Sequence, residues 1–308
     1  TAMTPVLIDT DPGIDDAMAI LYALADPALD VLGLTSVFGN VDVATATANA
    51  QRLVELAGAA VPVAAGAGVP LVQPPPPHAD YVHGADGFGG AVLPEPAHPP
   101  DPRPAWQFIA ETCAARPREI TLIALGPLTN LALALDQRPG LVDDVAQVIV
   151  MGGAVRTRGN VNAHAEANIW QDPHAAARVL EAGWPVRLVG LDVTERVRLL
   201  PEALAPMAAT SPRAGGFLTE AAAFYFDFHR RTDGFYGCFL HDPAAVIAAL
   251  APELFARERL GLAVVSEGPA AGQTTEDAEA APTEVCLGVE VEAVLARFLS
   301  VLEAGRLP

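Results

Sequence analysis

Short apolar, β-rich runs alternate with helix-period segments along most of the chain, and this alternation is the tightest constraint on its fold. Residues 6–10 read as a buried strand and IDDAMAILYALAD as the helix that follows. Residues 31–37 are strand-like, and VATATANAQRLVELAG is a helix stopped by Gly58. TLIAL reads as a strand, PLTNLALAL as a helix with proline near its first turn, VAQVIVM as a strand, DPHAAARVLEAG as a helix and VRLVGL as a strand. Alternation of this kind builds βαβ units with parallel strands. Strands that are apolar throughout fit a sheet covered on both faces. The expected fold is α/β, a mainly parallel sheet with helices on both faces and an extra helical segment around residues 201–250. Residues 72–90, rich in Pro and Gly, read as a long loop, and the polar stretch 267–284 reads as exposed. With no repeat and no interdomain linker, residues 1–308 are expected to form one domain.

Composition removes several function classes. The 308 residues are 51% hydrophobic, enough for a sizeable core, and carry a formal net charge of −19. That balance disfavours nucleic acid and anionic membranes as partners, because both attract basic patches. All 18 basic residues are arginine, which excludes a Schiff-base lysine, a P-loop lysine and a lysine general base. Cys113, Cys238 and Cys286 lie far apart without a CxxC pair, which suits a reducing compartment and small buried side chains. The N-terminus shows no signal-like pattern, and the longest apolar region is broken by Pro127, Thr129 and Asn130. A soluble, cytoplasmic protein is expected.

In open α/β sheets, ligands bind beyond the carboxyl ends of the strands. Asp9, Asp11, Asp15 and Asp16 follow the first strand, Phe38-Gly39-Asn40 the second, Gly126-Pro127 follow TLIAL, and Gly152-Gly153 follow VAQVIVM. A turn at Pro12-Gly13 lets Asp11 and Asp16 face one point, with Asp15 a candidate helix cap. Several carboxylates at one point need shared protons, a helix N-terminus or a metal. Oxygen-only ligands select a hard cation such as Ca²⁺ or Mg²⁺, although the spacing is not that of an EF-hand loop.

Three further clusters stand out. In GNVNAHAEANIWQDP, residues 159–173, Asn160, Asn162, His164, Glu166 and Asn168 alternate with small residues. Period two would put them on one face of an extended segment. Amides and a carboxylate offer both donors and acceptors to a polyhydroxylated ligand. In FLHDPAAVIAAL, Asp242 reads as a helix N-cap and His241 as a titrating acid. In YVHGADGFGG, His83 could ride a mobile loop over a ligand.

DTDPGIDDA resembles the signature of the inosine-uridine-preferring nucleoside hydrolase family. VFGNV (37–41), HGADG (83–87), ALGPLTNLA (124–132), VMGGA (150–154), GNVNAHAEANIWQDP (159–173) and LHDPAAV (240–246) resemble that family too, in its order, across roughly residues 6–250. The resemblance implies an α/β fold, a bound Ca²⁺ and hydrolysis of the N-glycosidic bond of ribonucleosides. Carried over by motif, Asp11, Asp16 and Asp242 look like carboxylate metal ligands, and the carbonyl of Leu125 like another. Asp15, Asn160, Glu166 and Asn168 look like ribose ligands, with Asn40 in support and Met151 under the sugar. His241 resembles a leaving-group acid, and His83 a histidine near the base. In such chemistry the ribose becomes oxocarbenium-like, and Asp11 accepts the proton of a metal-held water. The family also implies a homodimer or homotetramer.

The base-contact region between Ala221 and His241 departs from the pattern of inosine- and uridine-cleaving members. It offers Phe224, Tyr225, Phe228, His229 and Tyr236 without individual roles, and His164 has none either. His241 leans the expectation toward a pyrimidine or mixed preference. Two rivals are weighed. A phosphatase or phosphorylase needs a cationic anion site, which the acidic cluster opposes. A catalytically inactive Ca²⁺-dependent nucleoside- or ribose-binding protein would bind without turnover.

Overall fold

The computed structural model describes residues 2–308. Its strands are β1 (Thr4–Thr10), β2 (Leu29–Ser36), β3 (Val63–Ala65), β4 (Thr121–Ala124), β5 (Gln147–Met151), β6 (Val186–Val189), β7 (Arg198–Leu199), β8 (Cys238–Phe239), β9 (Phe255–Val264), β10 (Thr274–Glu276) and β11 (Pro282–Val289). Nine of them form one sheet in the order β10-β9-β11-β6-β5-β4-β1-β2-β3, and β7 pairs with β8 in a short ribbon. From β3 across to β11 every neighbouring pair is parallel; β9 runs antiparallel to β11 and to β10.

Successive strand residues feed opposite cores, as the pleat requires. Val6, Ile8, Ile123, Ile149, Met151 and Val189 join one apolar cluster, and Leu7, Leu122, Val148, Val150 and Leu188 the other. The helices Ala105–Ala115, Thr129–Gln137 and Pro173–Leu180 cover the second face. The first is covered by Ile14–Ala25, Val43–Leu56, Pro212–Thr232, His241–Leu250 and Val291–Glu303. This double coverage explains the uninterrupted apolar strands. The three cysteines are free and buried. Among the described residues no helix is long and apolar enough to cross a membrane.

The strand order reverses direction of growth at β1, which lies between β2 and β4. Such a switch point opens a crevice at the carboxyl ends of its strands. The aspartates after β1 and Leu125 after β4 therefore meet there.

Two local expectations need correction. Residues 72–90 are not all loop, because Asp80–His83 closes one helical turn. Residues 267–284 are not simply exposed. They contain β10, and Thr274 is only 2% exposed. Its Oγ1 accepts from the Ala154 N–H and donates to the Ala154 carbonyl, both at 3.1 Å, which ties this segment to the turn after β5. Residues 201–250 are mainly helical, as expected, with the two-residue β8 between the helices Pro212–Thr232 and His241–Leu250.

The last helix is tied to the first. Phe298, fully buried, stacks on Tyr22 with centroids 5.8 Å apart. Arg297 donates to the Tyr22 hydroxyl at 3.0 Å and to Asp26 Oδ2 at 3.1 Å. Truncating a fully buried Phe to Ala costs about 3–5 kcal/mol. Phe298→Ala should lower unfolding free energy in denaturant by that amount; a loss within experimental error would show that this helix does not complete the core.

Candidate active site

The first apparent strand delivers its aspartates to different places. Asp9 leaves the cluster. Its Oδ1 accepts from Thr35 Oγ1 at 2.6 Å and from Asn130 Nδ2 at 2.7 Å, tying β1 to β2 and to the helix after β4. Burial pushes its carboxyl up to about 7, against both hydrogen bonds. The chain then turns at Pro12-Gly13, and Gly13 caps the helix Ile14–Ala25. Asp16, at the third position of that helix, does the capping: Oδ2 accepts from Gly13 N–H and Oδ1 from Thr10 Oγ1 and Asp11 N–H. Asp15 is thus not the cap. Its Oδ2 instead accepts the backbone N–H of Asp242 at 2.8 Å, joining two helix N-termini. Asp242 is likewise not an N-cap; it sits inside the first turn of His241–Leu250, behind Leu240.

Asn40 binds this corner together. It gives its backbone N–H to Asp11 Oδ2 at 2.8 Å and its amide to the Asp11 carbonyl and Asp16 Oδ2. Asp11 is wholly buried behind the cavity wall. A side chain at Gly126 would place Cβ 2.7 Å from Asp11 Oδ1, so only glycine leaves the carboxylate its room. Asp11 Oδ1 and Asp15 Oδ1 are buried with no hydrogen-bond partner. Asp11, Asp15 and Asp242 hold their protons well above the ordinary carboxylate range, and Asp16 is raised as well. Burial is the first cause for each, and neighbouring aspartates add to it for Asp11, Asp15 and Asp242.

The second polar wall does not use a period-two ladder. Asn162 Oδ1 accepts from the N–H groups of His164 and Ala165, which bends the segment. His164 is exposed and does not line the cavity. Glu166 caps the short helix Ala167–Gln171 and accepts from Gly153, Asn168 and Ile169 N–H. Asn168 points its amide N–H group at the carbonyls of Leu125 (2.9 Å) and Met151 (3.1 Å), so its own oxygen stays available. Asn160 Oδ1 accepts from Ala167 N–H, leaving its amide nitrogen as a donor. These residues, with Asp15, Asp16, Asn40, His83, His241 and Asp242, line one cavity of about 900 Å³. That size suits a small ligand held in a cleft.

The opposite wall is aromatic. Tyr225, Phe228 and His229 of the helix Pro212–Thr232 line the cavity, as does Phe239 on β8. Phe224 does not; it packs against Gly89. Tyr236 is 45% exposed and meets Phe226 edge-on. His83 is a wall residue rather than a flap. It is buried, its Nδ1 accepts the N–H of Ile14 at 3.0 Å, and its ring lies 5.2 Å from that of Tyr225. Burial, with the nearby His229, pushes its imidazole down to about 3. His241 is half-buried, bonded through Nδ1 to Thr194 Oγ1 at 2.7 Å, and pushed down to about 3 chiefly by burial. Sequence reading missed Thr194, Asp233 and Glu195, because no motif marks residues that come to the site from a turn or a helix end.

A face of amides and carboxylates opposite an aromatic slot, joined at a buried acidic cluster, is built to hold a polyol and a flat ring and to act on the bond between them. The comparisons agree. The family model described as inosine-uridine preferring nucleoside hydrolase matches residues 6–296. Uridine nucleosidase 1 of Arabidopsis thaliana is 41% identical over 273 residues, covering 88% of this chain and 81% of that protein. The solved plant nucleoside hydrolase PpNRh1 superposes with a TM-score of 0.93 at 37% identity, covering 98% of this chain and 99% of its own. A purine-preferring ribonucleoside hydrolase from Gardnerella vaginalis superposes with a TM-score of 0.94 at 31% identity, covering 98% and 99%. The chain belongs to the inosine-uridine preferring nucleoside hydrolase family, and it is an N-ribosyl hydrolase acting on nucleosides.

Glu195 at the cavity rim gives a pH test of this electrostatic field. Burial, then Asp233 and Asp192, push its carboxyl up to about 7. A carboxyl raised on folding stabilises fully below its unfolded value and loses that contribution as pH rises through the folded value. Wild type and Glu195→Gln should therefore melt alike near pH 4, and the variant should gain relative thermal stability up to about pH 7. A difference in Tm that does not change with pH would show that Glu195 is not strained.

Proposed function

We propose that this enzyme hydrolyses pyrimidine ribonucleosides, or pyrimidines and purines together, and that it needs Ca²⁺. The observation that carries the metal reading is the pair of orphaned, buried oxygens on Asp11 and Asp15 within four mutually repelling aspartates. No lysine exists to neutralise them. A hard cation answers an oxygen-only set. Asp11, Asp16, Asp242 and the carbonyl of Leu125 would hold it. Among the described residues no three acidic or histidine side chains already stand in a coordinating group. The reading therefore requires at least one carboxylate to turn inward. When bound, Ca²⁺ acidifies a water and orients the ribose hydroxyls.

The chain's own residues do the rest. Asp15 Oδ1, the remaining lone pair of Glu166 and the Asn168 oxygen accept from ribose hydroxyls, and the Asn160 amide donates to them. Asn40 keeps Asp11 and Asp16 in register. Met151 lies under the sugar. Asp11, its proton affinity raised by burial, takes the proton of the attacking water. The negative wall favours the cationic, oxocarbenium-like ribose over its neutral ground state. His83 and His241 face the departing base, and His241 delivers a proton toward it, which requires the bound complex to raise a ring that burial otherwise pushes down to about 3.

Support for the base preference comes from His241 and from the uridine nucleosidase relative; the purine-preferring structural neighbour keeps a mixed preference open. Ribose release from inosine, adenosine, guanosine, uridine and cytidine should disappear on chelation and return with Ca²⁺, with uridine or cytidine at or near the top. Metal-indifferent release, or a panel led only by purines, would overturn the reading. Asp11→Ala should cut turnover by about 10²–10⁴-fold with the thermal midpoint held or raised, because general base assistance is lost while buried charge is relieved. Near-normal turnover would remove its role. His241→Ala should harm nucleosides more than p-nitrophenyl riboside, whose leaving group needs no proton. Equal losses on both would discard His241 as the acid.

A further inference from the structure

His241 lines the cavity half-buried, and among the described residues its Nε2 has no hydrogen-bond partner. That nitrogen is not shut away from solvent, so the cavity is what it meets. The ring is aimed by its other nitrogen. Nδ1 lies 2.7 Å from the Oγ1 of Thr194, a residue that does not itself line the cavity. Thr194 is wholly buried at the end of the short helix Leu191–Thr194, which follows β6. Its backbone groups are already in use: its N–H bonds to the Gly190 carbonyl at 3.1 Å, and its carbonyl takes the Val197 N–H at 3.2 Å. Among the described residues its hydroxyl meets only His241. Valine would fill the same space without burying a hydroxyl, so packing does not account for threonine here.

The ground under Thr194 is rigid. The Leu191 N–H bonds to the Gly153 carbonyl at 2.9 Å, and Asp192 accepts the N–H groups of Val155 and Arg156 at 2.9 and 2.7 Å. A Cβ at Gly190 would lie 2.5 Å from the Gly153 carbonyl oxygen, so the turn after β6 sits flush against the turn after β5. The same segment grips the chain just before the histidine, where the Val197 carbonyl takes the Leu240 N–H at 2.9 Å. Phe239 lies against the His241 ring with centroids 5.7 Å apart. Backbone and ring of the histidine are therefore held from one place. A hydroxyl suits this task, because it donates to a bare Nδ1 and accepts from a protonated one, and the contact survives in either form.

We propose that Thr194 is a positioning residue for cleavage: its hydroxyl holds His241 Nδ1 so that Nε2–H points at the leaving base. When the C1′–N bond breaks, its electron pair stays on the base, the Nε2 proton goes to the base, and Nδ1–H remains on Thr194 Oγ1. This deepens the proposed function and rests on its reading of His241 as the donor to the base.

The test measures kcat/KM for uridine, inosine and p-nitrophenyl riboside in wild type, His241→Ala, Thr194→Val, Thr194→Ala, Thr194→Ser and the double variant Thr194→Val/His241→Ala. Both hydroxyl-free variants at 194 should lose about ten-fold or more on the better nucleoside and clearly less on p-nitrophenyl riboside. Thr194→Ser should restore most of the nucleoside rate. The double variant should be no slower than His241→Ala, because the two residues act as one unit. A merely structural role would lower all three substrates alike. Equal losses on both kinds of substrate in Thr194→Val and Thr194→Ala, or a double variant whose losses multiply, overturns the positioning role. A selective His241→Ala beside an unselective Thr194→Val overturns this assignment alone. An unselective His241→Ala overturns the acid role in the proposed function and this assignment with it.

Discussion

Four aspartates buried at one corner of a parallel sheet are the constraint around which the rest is arranged. Isolated carboxylates in such a place are costly, and mutual repulsion adds to that cost. The fold meets it locally. The helices Ile14–Ala25 and His241–Leu250 both begin at the cluster, so their free N–H groups and dipoles face negative charge. Asp16 takes Thr10, Gly13 and Asn40; Asp15 takes the N–H of Asp242; Asp11 takes the N–H of Asn40. What is left over is one oxygen each on Asp9, Asp11 and Asp15. Asp9 belongs to the framework, so within the cluster the oxygens on Asp11 and Asp15 are the ones free to take a ligand.

The same economy separates Asp9 from its neighbours. The strand ends at Thr10, so Asp9 stays on the face of Leu7 while Asp11 lies beyond the strand, in the turn that leads to the helix. Asp9 becomes a tie between β1, β2 and the helix Thr129–Gln137, through Thr35 and Asn130. Asn130 also gives its amide to the Ser36 carbonyl and takes the N–H of Ala67. The strand ends that carry Asp11, Asn40 and Leu125 are thereby pinned to one another beneath the cavity. The acidic motif holds one framework residue and three site residues, and type alone does not tell them apart.

This explains how far the chain could be read without coordinates. Strands buried on both faces announce themselves as apolar runs, and the residues just past them fall at the ligand edge because topology puts them there. The parallel sheet, the helical layer and the convergence of Asp15, Asp16 and Asn40 were legible on that ground, while Leu125 and Asp242 were reached only through the resemblance of their motifs. Failures came where a side chain overrides periodicity. Asn162 folds its own backbone into a turn, so the alternation from 160 to 168 is not a strand. Thr274 finds the Ala154 backbone 120 residues away, so a polar stretch becomes buried support. His83 looked mobile among glycines, yet Ile14 N–H fastens it to the wall. None of these contacts leaves a periodic trace.

The two walls of the cavity differ in what holds them, and this bears on what can vary. The polar wall is carried by strand ends and by backbone N–H groups that lock Glu166, so its geometry is a property of the sheet itself. The aromatic wall hangs on one long helix, Pro212–Thr232, and the two-residue strand after it. Tyr225, Phe228 and His229 sit on that helix and Asp233 at its end, and none of them lies in a strand. A bond-breaking centre fixed by the core and a recognition wall mounted on a peripheral helix let one chemistry serve different bases. In this chain that wall holds Tyr225, Phe228 and His229, with Asp233 at the helix end fixing the His229 ring.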